Sequence, residues 1–173
     1  MVRVGEYSVL EGDLVGEKEL CVENAGSCVF CSPPAAGVFL RNGLAFALWD
    51  GFPVTPLHAL IIPRRHVVYY FDMTRDEVAA CDELVRVVRE QVCARDAAVA
   101  GFNMGVNVGR AAGQTIFHAH IHLIPRRVGD VEEPRGGVRH IIPGRGAYCA
   151  GVCGLFRAGI RCWIAGGASI CLG

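Results

Sequence analysis

Ile116-Phe117-His118-Ala119-His120-Ile121-His122-Leu123-Ile124 alternates apolar and imidazole side chains, and half of the chain's six histidines lie in it. A period of two predicts a β-strand, with Phe117, Ala119, Ile121 and Leu123 on one face and His118, His120 and His122 on the other. Same-face neighbours on a strand stand about 6.6 to 7 Å apart, so three imidazoles line one surface. Pro125 is expected to end the strand. An exposed polar face is the plainest reading of these histidines, and a mononuclear metal site is another. A hydrolytic zinc site also calls for a nearby carboxylate, and neither Asp nor Glu occurs between Asp96 and Asp130. Gly113-Gln114-Thr115 before the run and Pro125-Arg126 after it instead add hydrogen-bond donors of the kind that hold phosphate.

Upstream, Phe102, Met104, Val106 and Val108 alternate with Asn103, Gly105, Asn107 and Gly109, a second strand whose small, polar face leaves room for a ligand. Before it, Thr74-Arg75-Asp76-Glu77 fits a capping box, and Val78, Cys81, Val85, Val88 and Val92 follow along one helical stripe. A helix over about residues 75–95 is predicted. Val38–Arg41 and Leu44–Trp49 are apolar runs joined by Asn42-Gly43, which suits a type I′ hairpin turn. After a loop interrupted by Pro53 and Pro56, residues 58–62 resume a strand that Pro63 stops.

The whole chain has 173 residues, the size of one compact domain. Its 17 basic and 17 acidic residues balance, which argues against a protein that tracks an extended nucleic-acid backbone. No apolar stretch approaches the ~20 residues of a bilayer span, and the opening lacks a signal-peptide pattern, so the expectation is a cytoplasmic protein without membrane insertion. Nine cysteines, an odd number in that setting, point to burial or metal ligation rather than disulfides. Residues 1–27 show no clear period and read as an irregular lead-in with room for a short helix. From residue 149 a Gly, Ala and Cys mixture matches no period. Cys149-Ala150-Gly151-Val152-Cys153 there reads as ordinary thiols.

His118-Ala119-His120-Ile121-His122-Leu123-Ile124 closely resembles the signature of the histidine-triad (HIT) family, in which three histidines alternate with apolar residues and two more apolar positions follow. Gly113-Gln114-Thr115 resembles the segment that precedes that signature. Asn107, eleven residues before His118, stands where family members place an Asn or Gln beside the substrate. His58-Ala59-Leu60-Ile61-Ile62-Pro63-Arg64-Arg65-His66 is similar to the family's upstream strand, and Asp50 falls at its ribose-binding position. Leu57 departs from the pattern, because a Gly commonly precedes that histidine. The resemblance covers about residues 28–148, leaving 149–173 as a tail of unknown structure.

The resemblance implies an α+β fold, an antiparallel sheet of about five strands with one main helix packed on it, paired into homodimers through that helix and a strand. It implies attack of His120 on the α-phosphorus of a nucleotide to give a covalent nucleotidyl-histidine, with His122 donating to the phosphate or leaving group. Imidazole suits the role, being largely neutral and nucleophilic at pH 7. Asp50, His58, Asn107, Gln114 and Thr115 are the implied substrate-binding residues, and Phe30, Phe39 and Leu40 are candidates to sandwich a base. Cys28-Val29-Phe30-Cys31 is a weak metal signal alone. With His66 and His118 it completes the Cys2His2 set of the family's zinc-bearing branch, so a structural Zn2+ is implied. Pro125-Arg126 and the stretch over residues 129–139 look like the branch that hydrolyses dinucleoside polyphosphates such as diadenosine tetraphosphate. A nucleoside phosphoramidase, a nucleotide phosphorylase and a non-catalytic nucleotide-binding module are the alternatives.

Overall fold

The computed structural model describes residues 2–4, 7–9, 28–33, 37–143, 146, 162–165 and 168–171. Its centre is a five-stranded antiparallel sheet built from β3 (Val38–Arg41), β4 (Ala45–Trp49), β5 (Ala59–Pro63), β6 (Val99–Gly105) and β7 (Ile121–Arg127), in the order β3-β4-β5-β7-β6. One long helix, α1 (Arg75–Arg95), connects β5 to β6 and packs across β4 and β5. The expected α+β architecture is present. Two further antiparallel pairs lie near the ends: β1 (Val2–Val4) with β2 (Tyr7–Val9), and β8 (Cys162–Ala165) with β9 (Ala168–Cys171). The opening residues thus hold strands where a short helix had been allowed for, and the Cys149 to Cys153 segment lies outside the described residues. Among the described residues no helix is long and apolar enough to cross a membrane.

Strand alternation sends two sets of side chains to opposite faces of the sheet. Ala45, Ala47, Ala59, Ile61, Ile121 and Leu123 meet Cys81, Leu84, Val88 and Val92 of α1. Three alanines with no solvent exposure in the two strands under the helix let its axis approach closely. Each Val or Leu buried here contributes about 1.5–3 kcal/mol. On the far face Phe46, Leu60 and Ile62 pack with Phe30, which closes that side with Cys28, Val38, Leu48 and Ile116. The histidines stand on this second face, away from α1.

Helix α1 begins as predicted. The Thr74 hydroxyl accepts from the Glu77 amide at 3.2 Å, and the Glu77 carboxylate accepts from the Thr74 amide at 2.8 Å. Glu77 is 5% exposed, and Arg65 neutralises it through two bonds of 2.7 and 2.8 Å.

Local geometry departs from expectation at three places. The Asn42-Gly43 hairpin is real, but neither residue has the positive φ of a type I′ turn. The Asn42 side chain instead accepts from the amides of Leu44 and Ala45, and the Asn42 amide donates to the Ala45 carbonyl, which makes a wider Asx-type loop. The histidine stretch becomes a strand only at Ile121, because backbone groups before that point are diverted. The Ala119 amide donates to the Val67 carbonyl at 2.7 Å, and the Ile116 carbonyl accepts from the His118 amide and the Gln114 side chain. Nor does Pro125 end the strand. β7 runs on to Arg127, since its last pair with β5 is Leu123 and Pro125 then has β6 as its only neighbour, where one missing N–H is tolerated.

Candidate active site and metal centre

One ring nitrogen of each triad histidine has a hydrogen-bonding partner that sets the role of the other. His118 is fully buried, with Nε2 2.8 Å from the Pro63 carbonyl. A carbonyl only accepts, so that nitrogen carries the proton and Nδ1 keeps its lone pair. Nδ1 faces Cys28 Sγ at 3.5 Å and Cys31 Sγ at 3.6 Å, while His66 Nδ1 is 3.1 Å from Cys31 Sγ. Ligand atoms of Cys28, Cys31, His66 and His118 all lie within 4.8 Å of one another. Burial and the neighbouring Cys28 sulfur push the Cys31 thiol pKa up, and a cation between the sulfurs reverses that effect. Two soft sulfurs, two imidazoles and a carbonyl that fixes one tautomer suit a tetrahedral ion, so the quartet can hold a metal.

His120 follows the same logic to another end. Its Nδ1 lies 2.8 Å from the His118 carbonyl, so Nδ1 carries the proton and the lone pair is on Nε2. Burial is the main influence lowering its pKa, opposed by that hydrogen bond and by the Asp50 charge. The ring is therefore neutral at pH 7. Phe30 packs edge-on against it at 5.3 Å between centroids.

His122 stands at the end of a chain of polar groups. Its Nδ1 is 3.1 Å from His58 Nε2, and His58 Nδ1 is 3.3 Å from Asp50 Oδ2. Register explains the meeting: Trp49 pairs with Ala59 and Leu60 with His122, which sets Asp50 just past β4, His58 just before β5 and His122 on the adjacent β7. Burial, with His120 and His58 adding to it, lowers the His122 pKa to about 4. Its Nε2 is buried without a hydrogen-bond partner among the described residues. His58, 3% exposed, is likewise pushed down by burial against the pull of Asp50.

Among the other sequence-predicted residues, Gln114 is committed internally. Its carbonyl accepts from the Gly109 amide at 2.8 Å, and its amide donates to the Val68 carbonyl at 2.7 Å. Thr115 is exposed, and Asn107 is half-buried two residues past Gly105, the β6 partner of His122. Phe30, Phe39 and Leu40 border one cavity of about 700 Å³, but Phe39 is already stacked on Trp49 at 3.9 Å. Leu57 has φ +67°, the single positive φ outside glycine among the described residues. Sequence reasoning did not anticipate the backbone carbonyls of Pro63 and His118 that set the two tautomers, because a carbonyl leaves no mark in a side-chain pattern.

An α+β domain with a buried imidazole cluster on one sheet face and a Cys2His2 quartet beside it is the class that fold and site define. The model of the HIT domain family matches residues 34–129, more than half of the chain, and the protein belongs to that family. It is 37% identical over 101 residues to a bis(5′-nucleosyl)-tetraphosphatase (asymmetrical) of Schizosaccharomyces pombe, a match that covers 58% of this chain and 55% of that one. This chain therefore spans about half the length of that relative. A zinc-bound histidine triad family protein from Mycobacterium smegmatis shares the fold with a TM-score of 0.56 and 32% identity, over 62% of this chain and 80% of the other. A hypothetical histidine triad nucleotide-binding protein from Sulfolobus tokodaii matches with a TM-score of 0.54 and 32% identity, over 58% of this chain and 69% of that one.

Proposed function

We propose that this protein cleaves dinucleoside polyphosphates, diadenosine tetraphosphate among them, by transferring a nucleoside monophosphate to His120 and then to water. The observation that carries the reading is the 2.8 Å bond from His120 Nδ1 to the His118 carbonyl, which leaves an uncharged Nε2 with its lone pair available. In the first step Nε2 bonds to the α-phosphorus while the bond from that phosphorus to the leaving polyphosphate oxygen breaks. The leaving oxygen takes a proton from His122. In the second step water attacks the phosphorus and passes a proton to His122, the N–P bond breaks, and a nucleoside monophosphate departs with His120 neutral and His122 reprotonated.

His58 and Asp50 serve His122 in this scheme. The pair, held neutral by burial at pH 7, takes up one proton when the negative polyphosphate arrives: His58 then donates to Asp50 and to His122 Nδ1, and His122 donates from Nε2 to the departing oxygen. Asn107 and Thr115 contact the phosphates, and Gln114 braces the loop that carries Thr115 through its two backbone bonds. The nucleoside lies along Phe30, its ribose toward Asp50. Zinc is the ion for Cys28, Cys31, His66 and His118. Bound there it supplies a structural cross-link, since four protein ligands leave no position for water.

A substrate panel tests the activity. Diadenosine tetraphosphate is expected to give AMP and ATP faster than adenosine 5′-phosphoramidate gives AMP, without inorganic phosphate. A requirement for phosphate with release of ADP indicates a phosphorylase, and tight binding without turnover of any substrate contradicts the reading.

A further inference from the structure

Asp50, His58 and His122 bring three ligand atoms within 4.8 Å of one another, separate from the Cys/His quartet. His58 Nε2 and His122 Nδ1 are 3.1 Å apart, and Asp50 Oδ2 is 4.0 Å from that same His122 nitrogen. Nitrogens bound at about 2.0–2.1 Å to one tetrahedral ion stand roughly 3.3 Å from each other, so the spacing that permits a hydrogen bond also fits a metal bite. The donors come from β7 and from the residues flanking the paired ends of β4 and β5, and they include one carboxylate, so the trio lacks only a positive charge at its centre. Two imidazoles and one carboxylate select zinc-class divalent ions over magnesium or calcium, which want oxygen alone.

We propose that Asp50, His58 and His122 form a second metal site, taking one zinc-class divalent ion with a coordination position left open. The ion occupies the place of the proton that otherwise links the two rings. Metal and leaving-group protonation by His122 are therefore mutually exclusive, a consequence that rests on the proposed function. The binding itself does not.

Cobalt(II) titration of the metal-free full-length chain separates the two sites, because only the quartet carries sulfur. Uptake of about two equivalents per chain is expected, one with intense near-ultraviolet thiolate-to-cobalt absorption and one with visible bands alone. Asp50→Asn and His122→Gln should each remove the sulfur-free equivalent and leave the thiolate absorption intact. That retained absorption also reports that the variants fold. Saturation at one thiolate-bound equivalent in the unmodified protein overturns the proposal, as does a sulfur-free equivalent that survives both variants. Absence of thiolate absorption with a sulfur-free equivalent that both variants abolish supports the second site and sinks the quartet instead. Turnover of dinucleotides is not part of the readout, so failure of the proposed activity leaves the result interpretable.

Discussion

His118 and His120 are two positions apart, and their roles diverge because different backbone carbonyls hold opposite nitrogens of their rings. The alternation of the stretch announced the three rings, but the tautomers came from Pro63 and His118 carbonyls that no side-chain pattern encodes. His122 makes the electrostatic setting measurable. Its folded pKa of about 4 lies below the ordinary histidine value near 6.5, so the unfolded chain takes up the proton first. Stability is accordingly full above pH 6.5 and falls as pH drops from 6.5 toward 4, by roughly 1–3 kcal/mol from this residue. Urea unfolding of His122→Gln should show a shallower decline across that window than the parent, and equal slopes would contradict the assignment. Leu57 is the other single-residue test. Its φ of +67° strains any side chain, which is offset because Leu57 packs on the helix-side core. Leu57→Val puts a β-branched residue into the same conformation and should destabilise by about 1–2 kcal/mol in thermal or urea unfolding. An unchanged midpoint would show that the backbone there relaxes freely.

Among the elements, α1 was legible from Thr74 to Arg95 because capping box and apolar stripe agree, and both are present. Leu84, left out of the predicted stripe, is 3% exposed and Val78 only half-buried, a rotation set by the alanine floor of β4 and β5. Strand limits were less legible. The start of β7 depends on where Val67 and Ile116 send their hydrogen bonds, and its end on where β5 stops. The N-terminus of α1 predicts an acid transition of its own. Arg65 first, then the Thr74 amide, hold the Glu77 pKa at about 2, below its usual 4.5. Stability from this contact is full above pH 4.5 and disappears as pH falls from 4.5 to 2, by roughly 1–2 kcal/mol after discounting for the half-exposed Arg65. Glu77→Gln should make the decline in that interval shallower, where Asp96, Asp130 and Glu133 still contribute; a slope identical to the parent's would count against the pair.

At the scale of the whole molecule, the five-stranded antiparallel sheet with its one main helix and the meeting of Cys28, Cys31, His66 and His118 agree with what the family resemblance implied, although spacing alone could not place Cys28 beside a histidine 90 residues later. Loss of a metal held by this quartet, as proposed, should act through folding, since the quartet ties residues 28–31 to the sheet. Cys28→Ser is expected to lower the melting temperature while turnover per folded molecule at a lower temperature changes little; metal-free protein of unchanged stability would remove the cross-link. The tail beyond Tyr148 lies past the matched family region, which ends at residue 129. Truncation there should leave turnover per folded chain within a few-fold, and complete loss with the fold intact would show that the tail builds the site. The central claim is that His120 Nε2 becomes covalently bonded to phosphorus. Rapid acid-free quenching during turnover of a slow adenylyl substrate, followed by mass spectrometry of the peptides, tests it most directly. The predicted result is one AMP group on His120, stable to base, labile to acid and absent from His120→Ala, which still binds nucleotide but does not turn it over. Full activity in His120→Ala would contradict the account.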